Sequence, residues 1–174
     1  MTTRRQAVAA AAGVAAAALA PGSAVAASDT DREPLAALVA YQQEVVFRYE
    51  VALAKARLTH SRRAALTRFE REAAQAAAAL RSALKAQGGT PTPAPDPATA
   101  APQAQPGLHG FVADLIAVEE AAVASFYDAM QTLQDPRHLS GSAALMAQAG
   151  RRLVVLRSLA GEPLLPRNFE TGAA

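Results

Sequence analysis

The chain has 174 residues, enough for one domain with additional segments. It contains 17 Lys and Arg, 15 Asp and Glu, and no Cys or Trp, and only 5% of its residues are aromatic. The lack of Cys excludes disulfides, and the scarcity of aromatic side chains argues against stacking platforms for nucleic-acid bases.

Residues 1–27 have the pattern of a secretory signal peptide. Arg4 and Arg5 precede an apolar run from Ala7 to Ala20, and the small residues at 24–27 suit a cleavage site. An apolar run of about fourteen residues is too short to span a bilayer. The paired arginines and the Ala-rich run resemble a Tat signal, but the usual large apolar residue after the arginines is missing, so Sec export is an alternative. We predict export to the periplasm, the cell wall or the medium.

Removal of this segment changes the charge balance of the protein. Loss of Arg4 and Arg5 leaves 15 basic side chains against 15 acidic ones, because the first acidic residue is Asp29. The basic excess of the precursor therefore belongs to the export signal. A nearly neutral mature chain gives no electrostatic reason to expect a nucleic-acid partner, and we predict none.

Two helices are predicted in the first half of the mature chain. Helix one starts near Thr30, where Thr30 and Glu33 fit a capping box, and Ser61 is the expected N-cap of helix two. Gly88-Gly89 ends helix two. The predicted core faces have helical spacing and consist of Leu35, Leu38, Gln42, Val45, Tyr49, Ala52 and Ala56 in helix one, and Leu66, Phe69, Ala73, Ala76, Leu80 and Leu84 in helix two.

A proline-rich stretch separates these helices from the rest of the chain. Residues 90–106 read TPTPAPDPATAAPQAQP, and their six prolines oppose helix formation and favour polyproline II. At ~3.1 Å per residue such a stretch reaches roughly 50 Å, whereas a helix of about 24 residues is ~36 Å long. We therefore predict a crossover over residues 88–107 that can run the full length of a helical bundle.

Two more helices are predicted after the crossover. The core face of helix three carries Leu108, Val112, Ile116, Val123, Tyr127 and Met130, with Phe111, Leu115, Phe126 and Leu133 beside them, and that of helix four carries Leu145, Met146, Ala149, Leu153, Leu156 and Leu159. Asp135-Pro136 marks the start of helix four, and Gly161 ends it. No segment alternates with the period of a strand. The predicted fold over residues 28–174 is an all-α, antiparallel four-helix bundle of two hairpins, which is the topology of ferritin-like bundles.

The mature chain resembles the bacterial secreted proteins that carry a ferritin-like domain. The resemblance covers about residues 30–171, and the best-matching pieces are FEREAAQAAAALRSALKAQGGTP and RRLVVLRSLAGEPLLPRNFETG. Metal-binding members hold two ions with a Glu on each of two helices and an E-x-x-H pair on each of the other two. Residues at i and i+3 share one helix face, so that pair can bind the same ion.

According to this resemblance, most of the metal-ligand positions of the family carry side chains in this chain that bind no metal. In chain order they carry Gln42, Ala73, Ala76, Glu120, Ala149 and Arg152, with Glu119 beside the remaining acid. No E-x-x-H occurs in the chain, and an arginine there would repel a cation by roughly 4 kcal/mol per nearby charge at an effective dielectric near 20. We therefore predict no metal, cofactor or catalytic residue, and a residual polar core of Gln42, Glu120 and Arg152.

Two expectations concern the side chains of this core. Glu120 and Arg152 either form a buried ion pair that replaces the metal, or extend separately to the edge of the bundle. Tyr49 and Tyr127 lie among Leu and Val at helical spacing, so we expect them to be core residues with the hydroxyl at an edge rather than redox groups.

Three functions fit these patterns. The preferred one is a non-enzymatic exported bundle that binds an unknown protein partner or serves as a structural component of the envelope, with no transmembrane anchor in the mature chain. The second is an enzyme or metal-storage protein with a relocated site near Glu72, Gln75, Glu119 and Glu120. The third is a small-molecule carrier with a cavity between the hairpins.

Overall fold

The computed structural model describes residues 31–96 and 108–164, and these residues form four α-helices and no strand. The helices are α1 (Arg32–Lys55), α2 (His60–Ala86), α3 (Leu108–Thr132) and α4 (Pro136–Ala160). The predicted all-α four-helix bundle is confirmed. The predicted signal peptide at 1–27 and residues 97–107 of the predicted crossover lie outside the described residues.

Helix α1 lies between two neighbours, because it packs against both α2 and α3. Helix α3 also packs against α4, whereas α2 and α4 touch at few points. The Nε atom of Arg32 donates to the carbonyl of Gln87 at 3.1 Å, so the start of α1 lies beside the end of α2. Arg48, near the end of α1, pairs with Asp114 near the start of α3 at 3.3 Å.

Local sequence determines where α2 and α4 begin. The N-cap of α2 is Thr59, not the predicted Ser61, and its hydroxyl accepts from the backbone N–H three residues later at 3.4 Å. The N-cap of α4 is Asp135, as predicted, with Pro136 at the first helical position. Proline suits that position because its missing N–H would have no helical partner there.

Glycines in the left-handed region end two of the helices. Gly88 follows the end of α2 with φ 72°, and Gly161 follows the end of α4 with φ 74°. Glycine adopts this conformation without the steric cost that a Cβ would add. After α2, the N–H of Gly89 donates to the carbonyl of Leu84 at 2.9 Å, which closes a Schellman-type cap. The predicted helix ends at these glycines are confirmed.

The start of α1 is held by a long-range contact instead of the predicted capping box. Asp31 precedes the helix and makes no side-chain cap to it, and Thr30 lies outside the described residues. The buried carboxylate of Asp31 accepts from the backbone N–H groups of Gln134 and Asp135 at 2.7 and 3.0 Å, and lies 2.8 Å from Nδ1 of His138. We call these four residues the end clamp, since they tie the start of α1 to the turn between α3 and α4.

The apolar interior consists of two clusters at opposite ends of the bundle. The first, at the end with the α1–α2 turn, has as its largest members Tyr49, Leu66, Phe69, Phe111, Leu115 and Leu156. The second, beside the end clamp, includes Leu35, Leu38, Leu80, Leu84, Phe126, Leu133 and Leu145. Buried polar side chains, Gln42, Glu119 and Arg152, lie between the two clusters at mid-bundle.

Candidate functional site

Three helices bring one polar side chain each to the middle of the bundle. Tyr49 of α1, Glu119 of α3 and Arg152 of α4 are all buried, and Arg152 is only 2% exposed. We call these three residues the central ionic cluster. Each follows the helical spacing of its neighbours: Glu119 comes four residues after the buried Leu115, and Arg152 comes four residues before the buried Leu156. The faces that carry the apolar residues into the core therefore carry these polar residues with them.

The carboxylate of Glu119 is the shared acceptor of the cluster. Arg152 donates from Nε to Oε1 at 2.6 Å and from Nη2 to Oε2 at 2.9 Å, which is the bidentate geometry of a strong ion pair. The hydroxyl of Tyr49 donates to the same Oε1 at 2.8 Å. Both oxygens of the carboxylate are therefore engaged by protein donors.

The electrostatics of the cluster keep its charges fixed. Burial raises the pKa of the Tyr49 phenol far above its ordinary value, and the negative charge of Glu119 raises that pKa further. Burial lowers the pKa of Arg152, but the hydrogen bonds and the charge of Glu119 outweigh burial, and the net pKa is raised. Tyr49 therefore stays a neutral donor and Arg152 stays a cation, so neither serves as a general base at neutral pH.

Residues of α2 lie beside the central ionic cluster. The side-chain amide of Gln42 is buried and donates to the carbonyl of Ala73 at 3.4 Å, which joins α1 to α2. The Nη1 atom of Arg152 is buried and has no hydrogen-bond partner among the described residues. The carboxylate of Glu72, on α2, contributes to the raised pKa of Arg152. Arg152 thus lies between α3 and the side of α2, where α2 and α4 contact each other little.

The structure buries two of the three side chains predicted for the polar core and exposes the third. Gln42 and Arg152 are buried as predicted. The prediction for Glu120 is wrong, because its side chain is 46% exposed and pairs with Arg157 on the surface. Arg152 does form a buried ion pair, but its partner is the neighbouring Glu119.

The prediction for Glu120 is wrong because the sequence analysis assigned the wrong face of α3 to the core. Tyr127 was expected in the core, yet it is 58% exposed, whereas Phe126 beside it is buried. Consecutive residues of a helix are rotated by about 100°, so a face defined by Tyr127 selects Glu120, and a face defined by Phe126 selects Glu119. The sequence pattern could have predicted that Glu119 is buried, since Leu115 and Phe126 share a helix face with Glu119.

The residues at mid-bundle do not fit a di-metal site. Ala73, Ala76 and Ala149 are buried there as methyl groups. Among the described residues, the one buried carboxylate at this level is that of Glu119, and it is bound on both oxygens. A divalent ion beside Glu119 would also face the Arg152 guanidinium, which repels it. Within residues 31–96 and 108–164, no group of three or more His, Cys, Asp or Glu side chains could hold a metal ion.

Among the described residues, the four side chains of the predicted relocated site do not form a group of metal ligands. Glu72 pairs with Arg68 at 2.8 Å, Gln75 is exposed, and Glu119 and Glu120 face in different directions, as described above. No shared position among them can offer several oxygen ligands to one ion.

The end clamp is a second buried polar group, which sequence reasoning missed. Burial raises the pKa of Asp31, but the hydrogen bonds from the backbone of Gln134 and from His138 outweigh it and hold the net pKa below its usual value. Ser142 lies one turn after His138 on α4 and is buried, and its hydroxyl has no hydrogen-bond partner among the described residues. Without a bond from Ser142 to His138 and without access for a substrate, these residues do not form a nucleophilic triad.

Comparisons of the chain with protein-family models, with curated proteins and with solved structures found no match. In the described part of the chain, no helix has both the length and the apolar character needed to cross a membrane. The ferritin-like resemblance therefore rests on the sequence pattern alone and is a proposal.

Proposed function

We propose that this protein is an exported four-helix bundle of the ferritin-like type without a di-metal site. It acts by binding a partner or as a structural component of the cell envelope, and not as an enzyme. The observation that best supports this is the Glu119 carboxylate, whose two oxygens are held by Arg152 and Tyr49. An acid held in this way is unavailable both as a metal ligand and as an acid or base for a substrate.

The path of the crossover supports a ferritin-like arrangement with antiparallel hairpins. Gly89 follows α2 beside the start of α1, and three residues later the carbonyl of Thr92 accepts from the side chain of Gln43 at 2.9 Å. The chain thus turns back along α1 at once. The start of α3 lies near the end of α1, so we infer that the crossover runs along the bundle from one end to the other.

A structural role suits the central ionic cluster. The middle of the bundle is lined by alanines, whose small side chains offer little interlocking shape to set the register of the helices. A bidentate ion pair with a third hydrogen bond is satisfied in only one register of α1, α3 and α4. We infer that Tyr49, Glu119 and Arg152 specify that register, as buried polar residues do in some coiled coils.

Metal analysis of the purified exported protein tests the proposal. The protein is incubated with Fe²⁺ or Mn²⁺, freed of unbound metal and assayed by mass spectrometry for bound metal, and we expect far less than one ion per chain. Near-stoichiometric metal would contradict the proposal. The matched variant is Arg152→Gln, which frees one side of the Glu119 carboxylate. Metal uptake in that variant alone would identify the guanidinium as the group that excludes metal.

Export is tested separately. We expect the mature protein to begin near residue 28, which intact-mass measurement of the exported form checks directly. Replacing Arg4 and Arg5 together by Lys distinguishes the two routes, since Tat export depends on the paired arginines whereas Sec export requires only positive charge. A chain found only inside the cell at full length would contradict the exported role.

A further inference from the structure

The turn between α1 and α2 and the helix ends that flank it carry basic side chains with no acidic residue among them; at the same end of the bundle, the exposed Glu162 follows α4. Residues 51–69 contain five Lys and Arg and no Asp or Glu. Four of them lie in the last turn of α1, the following turn and the first turn of α2, and we call these four the basic tip: Lys55, Arg57, Arg62 and Arg63.

The charges of the basic tip are not neutralised within the described protein. None of the four makes a salt bridge to a described residue. Lys55, Arg57 and Arg63 are exposed, and Arg62 is half-buried. Arg63 donates from Nη1 to the carbonyl of Leu53 at 2.9 Å, which holds its guanidinium at the end of α1. The tip is therefore a local concentration of positive charge, in which the guanidinium of Arg63 is held in place.

The opposite end of the bundle is electrically mixed. It carries Asp31, Glu33 and Asp135 together with Lys85 and Arg137. Asp31 is enclosed by the end clamp, and Asp135 pairs with Arg137 at 2.6 Å. Because the mature chain is close to neutral overall, the excess at the tip reflects how charge is distributed along the bundle and not its net charge.

Apolar side chains accompany the basic tip. Leu58, Leu108 and Leu159 are half-buried at this end of the apolar core. Leu164, which follows the end of α4 two residues after the exposed Glu162, is 50% exposed. An excess of cationic side chains at the same end of a bundle as exposed leucine is the composition of a surface that binds at the boundary between lipid headgroups and acyl chains.

We propose that the basic tip binds the surface of an anionic lipid bilayer. Lys55, Arg57 and Arg62 contact the lipid phosphates, and Leu164 enters the interfacial layer beside them. The leucines and the lack of aromatic residues from 54 to 65 favour lipid over nucleic acid, for which aromatic stacking would be expected. This inference rests on the described tip, and it holds whether or not the protein is ferritin-like.

Vesicle co-sedimentation tests the proposal. The chain is used from residue 28 onward, which retains all four helices, because the basic and apolar leader would itself bind lipid. Its binding to vesicles of phosphatidylcholine is compared with binding to equal mixtures of phosphatidylcholine and phosphatidylglycerol. We expect at least roughly tenfold tighter binding to the anionic vesicles, weakening as salt is raised from about 0.05 to 0.5 M.

Matched charge reversals identify the surface. Arg57→Glu/Arg62→Glu changes the tip, and Arg81→Glu/Lys85→Glu makes the same change in net charge at the other end of α2. We expect the tip variant to lose roughly tenfold or more in affinity for anionic vesicles, and the control to stay within about threefold of the parent. Leu164→Ser should weaken binding severalfold without changing its salt dependence. Circular dichroism confirms that each variant is folded.

Three results would overturn the proposal. The first is equal binding to neutral and anionic vesicles. The second is an equal loss in the tip variant and the control, which would make net charge the cause. The third is binding of polyglutamate or duplex DNA as tightly as anionic vesicles in the same salt, which would assign the tip to soluble polyanions.

Discussion

Two Glu–Arg pairs join α3 to α4, and their glutamates are adjacent in the sequence. Glu119 pairs with Arg152 in the core, and Glu120 pairs with Arg157 on the surface. The chemistry is the same and only the rotation about α3 differs. We expect burial of the carboxylate, not the identity of the charged residues, to decide how much each pair contributes to stability.

The physical reason is the solvent around each carboxylate. At the surface, water solvates an unpaired Glu120 almost as well as Arg157 does, and such pairs contribute about 0–1 kcal/mol. In the core, an unpaired Glu119 has no water to replace Arg152, so the loss of the partner leaves a buried charge unsatisfied. Substitutions at the two pairs, and at the buried carboxylate of Asp31, therefore measure how strongly burial sets the cost of losing a partner.

Arg152→Met should cause the largest loss of stability. It leaves the Glu119 carboxylate buried with only the Tyr49 hydroxyl as a donor, and we expect a loss of about 3–5 kcal/mol in the free energy of unfolding. Urea denaturation followed by circular dichroism measures it. A loss below about 1 kcal/mol would show that water reaches Glu119 and that the cluster is not sealed.

Removal of both charges should reverse the whole of that loss. Glu119→Leu/Arg152→Met replaces the pair by apolar side chains, and we expect stability between that of the parent and about 4 kcal/mol above it. If the cluster specifies the helix register, this variant should also show broader amide resonances in NMR spectra than the parent. Sharp, parent-like spectra would contradict the register role while leaving the energetic prediction intact.

The end clamp gives a pH-dependent contribution of intermediate size. The pKa of Asp31 is below its ordinary value in the folded protein, so its ionised form stabilises the fold. This stabilisation is present above the unfolded pKa of about 3.9 and is lost as the pH falls through the lower folded pKa. Asp31→Asn should cost about 1.5–3 kcal/mol at pH 7.

Denaturation of the parent and of Asp31→Asn from pH 7 to pH 2 checks the sign. The difference between the two proteins should shrink below about pH 4. A difference that stays constant across this range would mean that the hydrogen-bond geometry of the clamp matters and its charge does not. The salt bridge between Asp135 and Arg137 is present in both proteins, so its contribution to the pH dependence cancels in the difference.

Tyr49→Phe should have a smaller effect. It removes one hydrogen bond to Glu119 and leaves both bonds from Arg152, so we expect a loss of about 1–2 kcal/mol. The same measurement in the Glu119→Leu/Arg152→Met background serves as the control, because the hydroxyl has no carboxylate to bind there. An equal loss in both backgrounds would assign the effect to packing against Phe69, whose ring centroid is 6.4 Å away.

Glu120→Gln should have the smallest effect. The Glu120 side chain of the pair with Arg157 is exposed. We therefore expect the free energy of unfolding to change by no more than about 1 kcal/mol, and the change to vanish in high salt. Arg157→Met is the counterpart of Arg152→Met at a pair whose carboxylate is exposed, with the Arg157 side chain itself 12% exposed. If its cost equalled that of Arg152→Met, burial would not be the property that separates the two pairs.

The sequence predicted the all-α four-helix fold, and it predicted the burial of two polar residues, Gln42 and Arg152. The N-cap Asp135 and the terminal Gly161 mark the ends of α4 within the sequence itself, because caps act over about four residues. Gln42 and Arg152 were placed in the core from the apolar residues one turn away. The choice of Glu120 over Glu119 failed because α3 has apolar residues around much of its surface, so that two neighbouring faces fit the same spacing.

From the sequence alone we predict the four helices that lie within residues 31–96 and 108–164, approximately where each begins and ends, and which side of most of them is apolar. These properties follow from interactions within one or two helical turns. Tertiary packing sets which of two adjacent glutamates meets Arg152, and it brings Asp31 to a turn more than 100 residues away. Both depend on how the helices are rotated and on which ends meet, and packing among all four helices sets these relations.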